Sequence, residues 1–258
     1  MPALLTDAIV LHVADYLESS RILRLATRDA GIQSVVARGA RNSRKRFGHA
    51  LDLFAIGQAH IDVRGGRDLQ TLTGFEVVRS QPQLALDLAR FSAASAIAEA
   101  TLRVVHEEAA PTLFDGLLSA FAALGEAEGD AVIPTALGAL WRIVREVGVA
   151  PALDVCAECH AVIAPDAEVV FSHQAGGALC DRCRARSPGA RRLPPSARAA
   201  IRDWLEDRPV ELSRNECRAH QRLLREFLAQ HLTDGRPLRA FLDWEAGIFE
   251  SPTGYTRP

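Results

Sequence analysis

The sequence predicts an α+β fold: a small closed five-stranded β-barrel at the N-terminus, then a helical domain carrying a four-cysteine zinc-binding insert. Three observations predict it. Up to about residue 80 the chain is cut into short runs rich in β-branched residues, separated by turn residues. From Gln83 onward that alternation gives way to helical spacing. Four of the five cysteines stand as two C-x-x-C pairs, Cys156/Cys159 and Cys180/Cys183.

In chain order, Thr6–Val13, Arg21–Thr27, Ile32–Ala37, Leu51–Val63 and Leu69–Val78 read as strands. Asp29-Ala30-Gly31 turns the second into the third, and Gly65-Gly66 the fourth into the fifth. So many short strands in one small segment suit a closed barrel, because a lone open sheet would leave its edges exposed. Ser80-Gln81-Pro82 reads as the boundary between a barrel domain, 1–80, and a helical domain, 81–250. Leu84, Leu88, Phe91, Ser95 and Ala98 lie at helical spacing, and further helices are expected over Thr112–Gly125, Thr135–Val147, Pro195–Glu206 and Arg214–His231. On the last of these, Cys217, His220, Leu224, Phe227, Leu228 and His231 form one stripe, so Cys217 reads as a packed core thiol. The loop-rich insert covers about 152–190, and 251–258, with two prolines and a glycine, reads as a frayed tail.

Composition narrows the function classes. With 48% hydrophobic residues and a net charge of only −2, the chain has material for a core and lacks the signature of global disorder. Its apolar runs are too short for a bilayer crossing, and the start has no basic, apolar leader; a cytoplasmic protein is expected. Lys45 is the only lysine among 30 basic residues, the rest being arginine, a pattern that codon usage also explains. No G-K-[ST] triplet exists, so a Walker-type phosphate loop is excluded; H-E-x-x-H, G-x-S-x-G and G-x-G-x-x-G are absent too. No cluster of carboxylates or histidines has the spacing of an open catalytic metal, which argues against a metal-assisted nuclease and against an enzyme in general.

Two C-x-x-C knuckles twenty residues apart match zinc-ribbon spacing, each knuckle setting two sulfurs on one tight turn. Cys156, Cys159, Cys180 and Cys183 would fill the shell of one structural Zn²⁺ per chain, leaving no position for substrate. Two disulfides would fit a secreted protein better, and a redox pair would account for one C-x-x-C but not two. Phe171 and Leu179 would give apolar support, and Arg182, Arg184 and Arg186 stand where they offset the charge of four thiolates.

Charge is uneven along the chain. Residues 1–81 hold 11 basic and 8 acidic side chains, and residues 82–150 hold 4 and 9. Within the basic front, Arg38, Arg41, Arg44, Lys45 and Arg46 follow one another with no acid between them, in the connection between strands three and four. A basic loop on a small barrel neutralises phosphates without reading sequence, which makes these five the candidate DNA-binding residues. Stacking platforms are few: Tyr16, Phe47, Phe54 and Phe75, of which Phe54 and Phe75 read as buried on strands.

Val10-Leu11, the stretches from Tyr16 to Ser20 and from Thr27 to Gly31, and Ala37-Arg38-Gly39-Ala40-Arg41 leading to Arg46-Phe47 resemble the RecO family of bacterial recombination mediators. So do Gly148-x-x-Pro151 ahead of Cys156-x-x-Cys159, and Phe171-Ser172 followed by Gly176-Gly177 and Cys180-x-x-Cys183. The resemblance spans nearly the whole chain in order. It implies that the front is an OB-fold and that the protein binds single- and double-stranded DNA and anneals complementary strands. It further implies RecR as a partner, and loading of RecA onto DNA coated by single-strand-binding protein, in the cytoplasm at the nucleoid. The acidic, apolar-ended tail of that coating protein calls for an apolar pocket with arginine. Arg142, Arg145 and Trp141 are the candidates, with Arg222 and Arg225 as rivals, although the helix around Trp141 lacks the family's paired arginines. The competing class is a zinc-ribbon module that binds RNA or serves transcription.

Overall fold

The structure, a computed structural model, describes residues 3–40, 47, 51–105, 108–232 and 236–247. The described chain divides into two compact units, one of residues 1–85 and 98–126, the other of residues 86–97 and 127–258.

In the first unit five strands close a barrel in the order β1-β2-β3-β5-β4: β1 (Ala3–Tyr16), β2 (Ser20–Thr27), β3 (Gly31–Ala37), β4 (Ile56–Asp62) and β5 (Gln70–Arg79). The long β1 serves two partners. Its first half pairs antiparallel with β4, from Ala3 opposite Asp62 to Ile9 opposite Ile56. Its second half pairs with β2, from Ala8 opposite Thr27 to Tyr16 opposite Ser20, with a bulge between Val10 and His12. Such a bulge bends a strand, which lets one segment belong to two walls of a barrel. The barrel closes where β3 runs parallel to β5, through Val35 opposite Gln70 and Val36 opposite Thr71. This is the five-stranded OB architecture. Its interior is filled by Ala8, Val10, Leu23, Leu25, Val35, Ala59, Ile61, Leu72 and Phe75, all buried. Gly57 is required by its neighbour: a Cβ there would lie 2.3 Å from the Glu76 carbonyl oxygen.

Two short-range expectations are corrected. The fourth strand begins at Ile56, not Leu51, because Phe54 takes a left-handed φ of 67° in a turn, and its ring packs on Phe121 at 5.2 Å between centroids. Phe47 is no stacking platform, since it is 2% exposed and belongs to the barrel core; Phe54 and Phe75 are buried, as expected.

After α1 (Pro82–Leu86) come α2 (Leu88–Val104), the later part of which belongs to the first unit, and α3 (Pro111–Glu126). The part of α2 from residue 98 onward and α3 lie against β2. Arg24 donates from Nη2 to the Leu102 carbonyl at 3.3 Å, and Arg28 forms a two-pronged pair with Asp115 while its guanidinium lies 4.8 Å from the Phe114 ring. Ala26, Ile32 and Val36, on the barrel's outer side, are buried accordingly.

The second unit is built on α4 (Val132–Glu146), α5 (Pro195–Leu205), α6 (Arg214–His231) and α7 (Arg239–Ala246). Helix α6 starts at a capping box: Ser213 Oγ accepts from the Glu216 N–H, and the Glu216 carboxylate accepts from the Ser213 N–H. Its predicted stripe is buried at Cys217, His220, Leu224, Phe227 and Leu228, and Phe227 meets Trp141 of α4 at 5.5 Å. Burial pushes the Cys217 thiol up, consistent with a core thiol, and drives the His220 imidazole down to about 4, so it stays neutral against Trp204. No helix among the described residues is long and apolar enough to cross a membrane.

Candidate metal centre and nucleic-acid interface

The sulfurs of Cys156, Cys159, Cys180 and Cys183 all lie within 4.8 Å of one another. Short backbone bonds build the cluster. In the first knuckle the Cys156 N–H donates to Ala161 O at 2.8 Å and the His160 N–H to Cys156 O at 2.9 Å, with His160 in the left-handed region at φ 58°. In the second, the N–H groups of Cys183 and Arg184 both donate to Cys180 O at 3.0 Å. The knuckles are joined by Ala157 N–H to Ala178 O at 2.8 Å and by a bridge between Ala152 and Gly177. A side chain at position 177 would put Cβ 2.3 Å from the Ala152 carbonyl oxygen, so the strand bearing the second knuckle passes the first this closely only as glycine.

Beneath the knuckles lies a three-stranded sheet in the order β7-β6-β8, formed by β6 (Val169–Ser172), β7 (Gly177–Leu179) and β8 (Arg191–Leu193). Phe171 and Leu179 are buried as expected, and Phe171 meets Phe227 of α6 at 6.0 Å. Arg198 of α5, fully buried, donates from Nη2 to the carbonyls of Ala164 and Pro165 and so ties the insert's loop to the helix. Arginine spacing alone gave no sign of that role.

The donor set fits a tetrahedral thiophilic ion. Cys159 and Cys180 sulfurs stand 3.7 Å apart, against about 3.8 Å for the edge of a tetrahedron with Zn–S bonds of about 2.3 Å. Burial opposes charge on Cys156, but N–H donors from Cys159, Cys180 and Glu158 outweigh it and bring this thiol down to about 6. Burial and the neighbouring sulfurs push Cys183 up to about 12. Arg182 hydrogen-bonds to Cys180 and Cys159, which holds its guanidinium above the usual range. Arg184 is diverted to Asp181 at 3.2 Å.

Of the expected DNA-binding residues, Arg38 follows β3 directly, is exposed, and has no ion pair with a described residue. Arg41, Arg44, Lys45 and Arg46 lie outside the described residues, as does the predicted tail, 251–258. Tyr16 at the end of β1 is the one aromatic of the four that stays exposed, at 41%.

The arginines considered for an acidic peptide divide sharply. Trp141 is fully buried and cannot meet a peptide. Arg142 and Arg145 both grip Asp207, at 2.6 Å and 3.0 Å, and Arg145 also holds Glu146. Arg225 is paired with Glu245 at 3.1 Å. Arg222 is exposed, has no ion pair with a described residue, and borders a cavity of about 220 Å³ whose apolar wall includes Phe171, Leu193 and Leu223.

The sequence matches known proteins along most of its length. Residues 1–81 match the family described as Recombination protein O N terminal, and residues 85–240 match Recombination protein O C terminal. A DNA repair protein RecO from Anaeromyxobacter dehalogenans (strain 2CP-C) is 35% identical over 246 residues, covering 91% of this chain and 94% of that protein. One from Thermobifida fusca (strain YX) is 34% identical over 245 residues, covering 90% and 96%. Because both domains match in order and the relatives align along nearly their full length, the chain belongs to the RecO family of DNA repair proteins.

Proposed function

We propose that this protein is a non-enzymatic recombination mediator of the cytoplasm and nucleoid, which binds single- and double-stranded DNA and anneals complementary strands. With RecR it helps load RecA onto DNA coated by single-strand-binding protein. The observation that carries this reading is an OB barrel whose β3 runs out into Arg38 and the basic run, in a chain of the RecO family. Guanidinium groups there screen the phosphates of two strands at once, which lowers their mutual repulsion and lets complementary bases pair without any bond being broken. Residues 1–80 carry the DNA-binding role, and Cys156, Cys159, Cys180 and Cys183 hold one structural Zn²⁺ that fixes the insert within 81–250.

The test is strand annealing with complementary oligonucleotides coated by the cognate single-strand-binding protein. The reading expects acceleration by the full-length protein, with the strands intact afterwards. No acceleration, or cleavage abolished by chelator, overturns it.

The tail of the coating protein finds its best site at the cavity beside Arg222, since the competing arginines are already neutralised by internal carboxylates. Arg222→Ala should weaken binding of a synthetic tail peptide tenfold or more, as expected for a charged hydrogen bond of about 1.5–3 kcal/mol. Arg142→Ala should leave that binding unchanged in fluorescence anisotropy. The reverse pattern would return the tail to α4.

A further inference from the structure

The four sulfurs of the metal centre are not equally sheltered. Cys156 and Cys183 are buried, at 0% and 5% exposed, whereas Cys180 is partly exposed and Cys159 lies open to solvent. The two reachable cysteines come from different knuckles, 21 residues apart in sequence, yet their sulfurs stand 3.7 Å from each other. A disulfide needs about 2.05 Å between sulfurs, which leaves a gap of roughly 1.7 Å for the two side chains to close.

A cation sits on the same two sulfurs. Arg182, exposed between Cys180 and Cys183 in sequence, hydrogen-bonds to both Cys159 and Cys180. Its neighbour Arg184 is spent on Asp181. Reactive cysteines occupy such electropositive, partly exposed settings, whereas buried structural ones are inert. The fifth cysteine, Cys217, is of the inert kind, 3% exposed on the packed face of α6. All five cysteines lie in the second unit, so thiol chemistry in this chain spares the barrel.

We infer that Cys159 and Cys180 form a peroxide-reactive pair, whose oxidation to a disulfide dismantles the metal centre and frees its ion. The inference rests on the zinc assignment above. The Cys159 thiolate attacks one oxygen of hydrogen peroxide, the O–O bond breaks, and hydroxide leaves to become water. The sulfenic acid formed on Cys159 is then attacked by the Cys180 thiolate. The S–S bond forms, the S–O bond breaks, and a second hydroxide leaves. The two sulfurs give up two electrons, and peroxide with two protons from solvent becomes two waters. Arg182 stands where it favours both thiolates and the departing hydroxide. The disulfide takes two of the four sulfurs from the ion's shell, one from each knuckle, and the buried pair is too few to hold it.

The test treats the full-length, zinc-loaded protein with hydrogen peroxide in the presence of a chromophoric zinc chelator, against a peroxide-free control. Peptide mapping by mass spectrometry then locates the oxidised cysteines. One Zn²⁺ should be released per chain, with Cys159 joined to Cys180 and Cys217 still a free thiol. Dithiothreitol followed by added zinc should restore the metal content. Arg182→Ala should purify with its metal and release it roughly tenfold more slowly under peroxide, the worth of one hydrogen bond to a charged group. A folding defect would speed release instead, and Arg182→Lys, which keeps the cation, should recover part of the rate. Zinc retained under peroxide, a disulfide confined to one knuckle, or release with sulfinic acid and no disulfide would overturn this inference and leave the zinc assignment standing. A wild type that purifies without metal would remove the zinc assignment itself.

Discussion

Cys180→Ser is expected to leave the protein without metal and to lower its soluble yield and melting temperature. Besides the Arg198 bonds to its loop, the insert has little else to hold it. Its strands are three or four residues long, and its apolar support is a few side chains led by Phe171 and Leu179. Structural zinc contributes about 10–16 kcal/mol in isolated finger peptides, far above what so small a core supplies. The damage should also spread, because Phe171 packs on Phe227, and Phe227 on Trp141 of α4. Metal content by atomic absorption and a thermal melt with and without chelator check this. A wild type that purifies with no metal, and whose cysteines titrate as free thiols without loss of fold, would overturn the zinc assignment.

The second large effect is expected from Arg41→Ala/Arg44→Ala/Arg46→Ala. Phosphate contacts carry no sequence information, so binding should weaken for all DNA sequences alike. The salt slope should fall, for each phosphate left unneutralised, by roughly 0.7 on single strands and 0.9 on duplex. Annealing should decline in step, while melting temperature and metal content hold. Loss of discrimination at particular bases would instead indicate base reading. Unchanged affinity and slope would remove the run from the DNA site.

The barrel strands were legible as short β-branched runs between turn residues; burial alternates residue by residue in β4, whereas β2 and β3 are buried on both faces. The error at Leu51 has a local cause. Leu51 to Phe54 is as apolar as a strand, but Phe54 buries its ring against α3 rather than in the barrel, and the backbone turns to allow it. Phe47 was misjudged because it reaches the core from a connection with no periodicity to read. Helix α7 has only eight residues, too few for a pattern to emerge between Pro237 and Gly247. The cysteine cluster could be read from spacing alone, because C-x-x-C is a local geometry. The N–H donors on its sulfurs, the close approach at Gly177 and the hold of Arg198 are products of tertiary folding, and residue type does not encode them. For the same reason the sequence offered Arg142 and Arg145 as peptide contacts: nothing in it placed Asp207 between them.

Arg198 also bears on how such a chain can change over time. A buried guanidinium whose Nε and Nη1 have no partner among the described residues, and whose Nη2 is spent on two carbonyls of the insert, suits no other surroundings. Deleting the insert would strand that charge in an apolar setting and uncover Phe227 in the same step. A lineage losing its cysteines could therefore keep the loop and replace the metal with packing, whereas one losing the whole segment would have to exchange Arg198 for an apolar residue at once. The insert and α5 are coupled through Arg198, so a change that removes the loop leaves the helix's guanidinium without its two carbonyl partners.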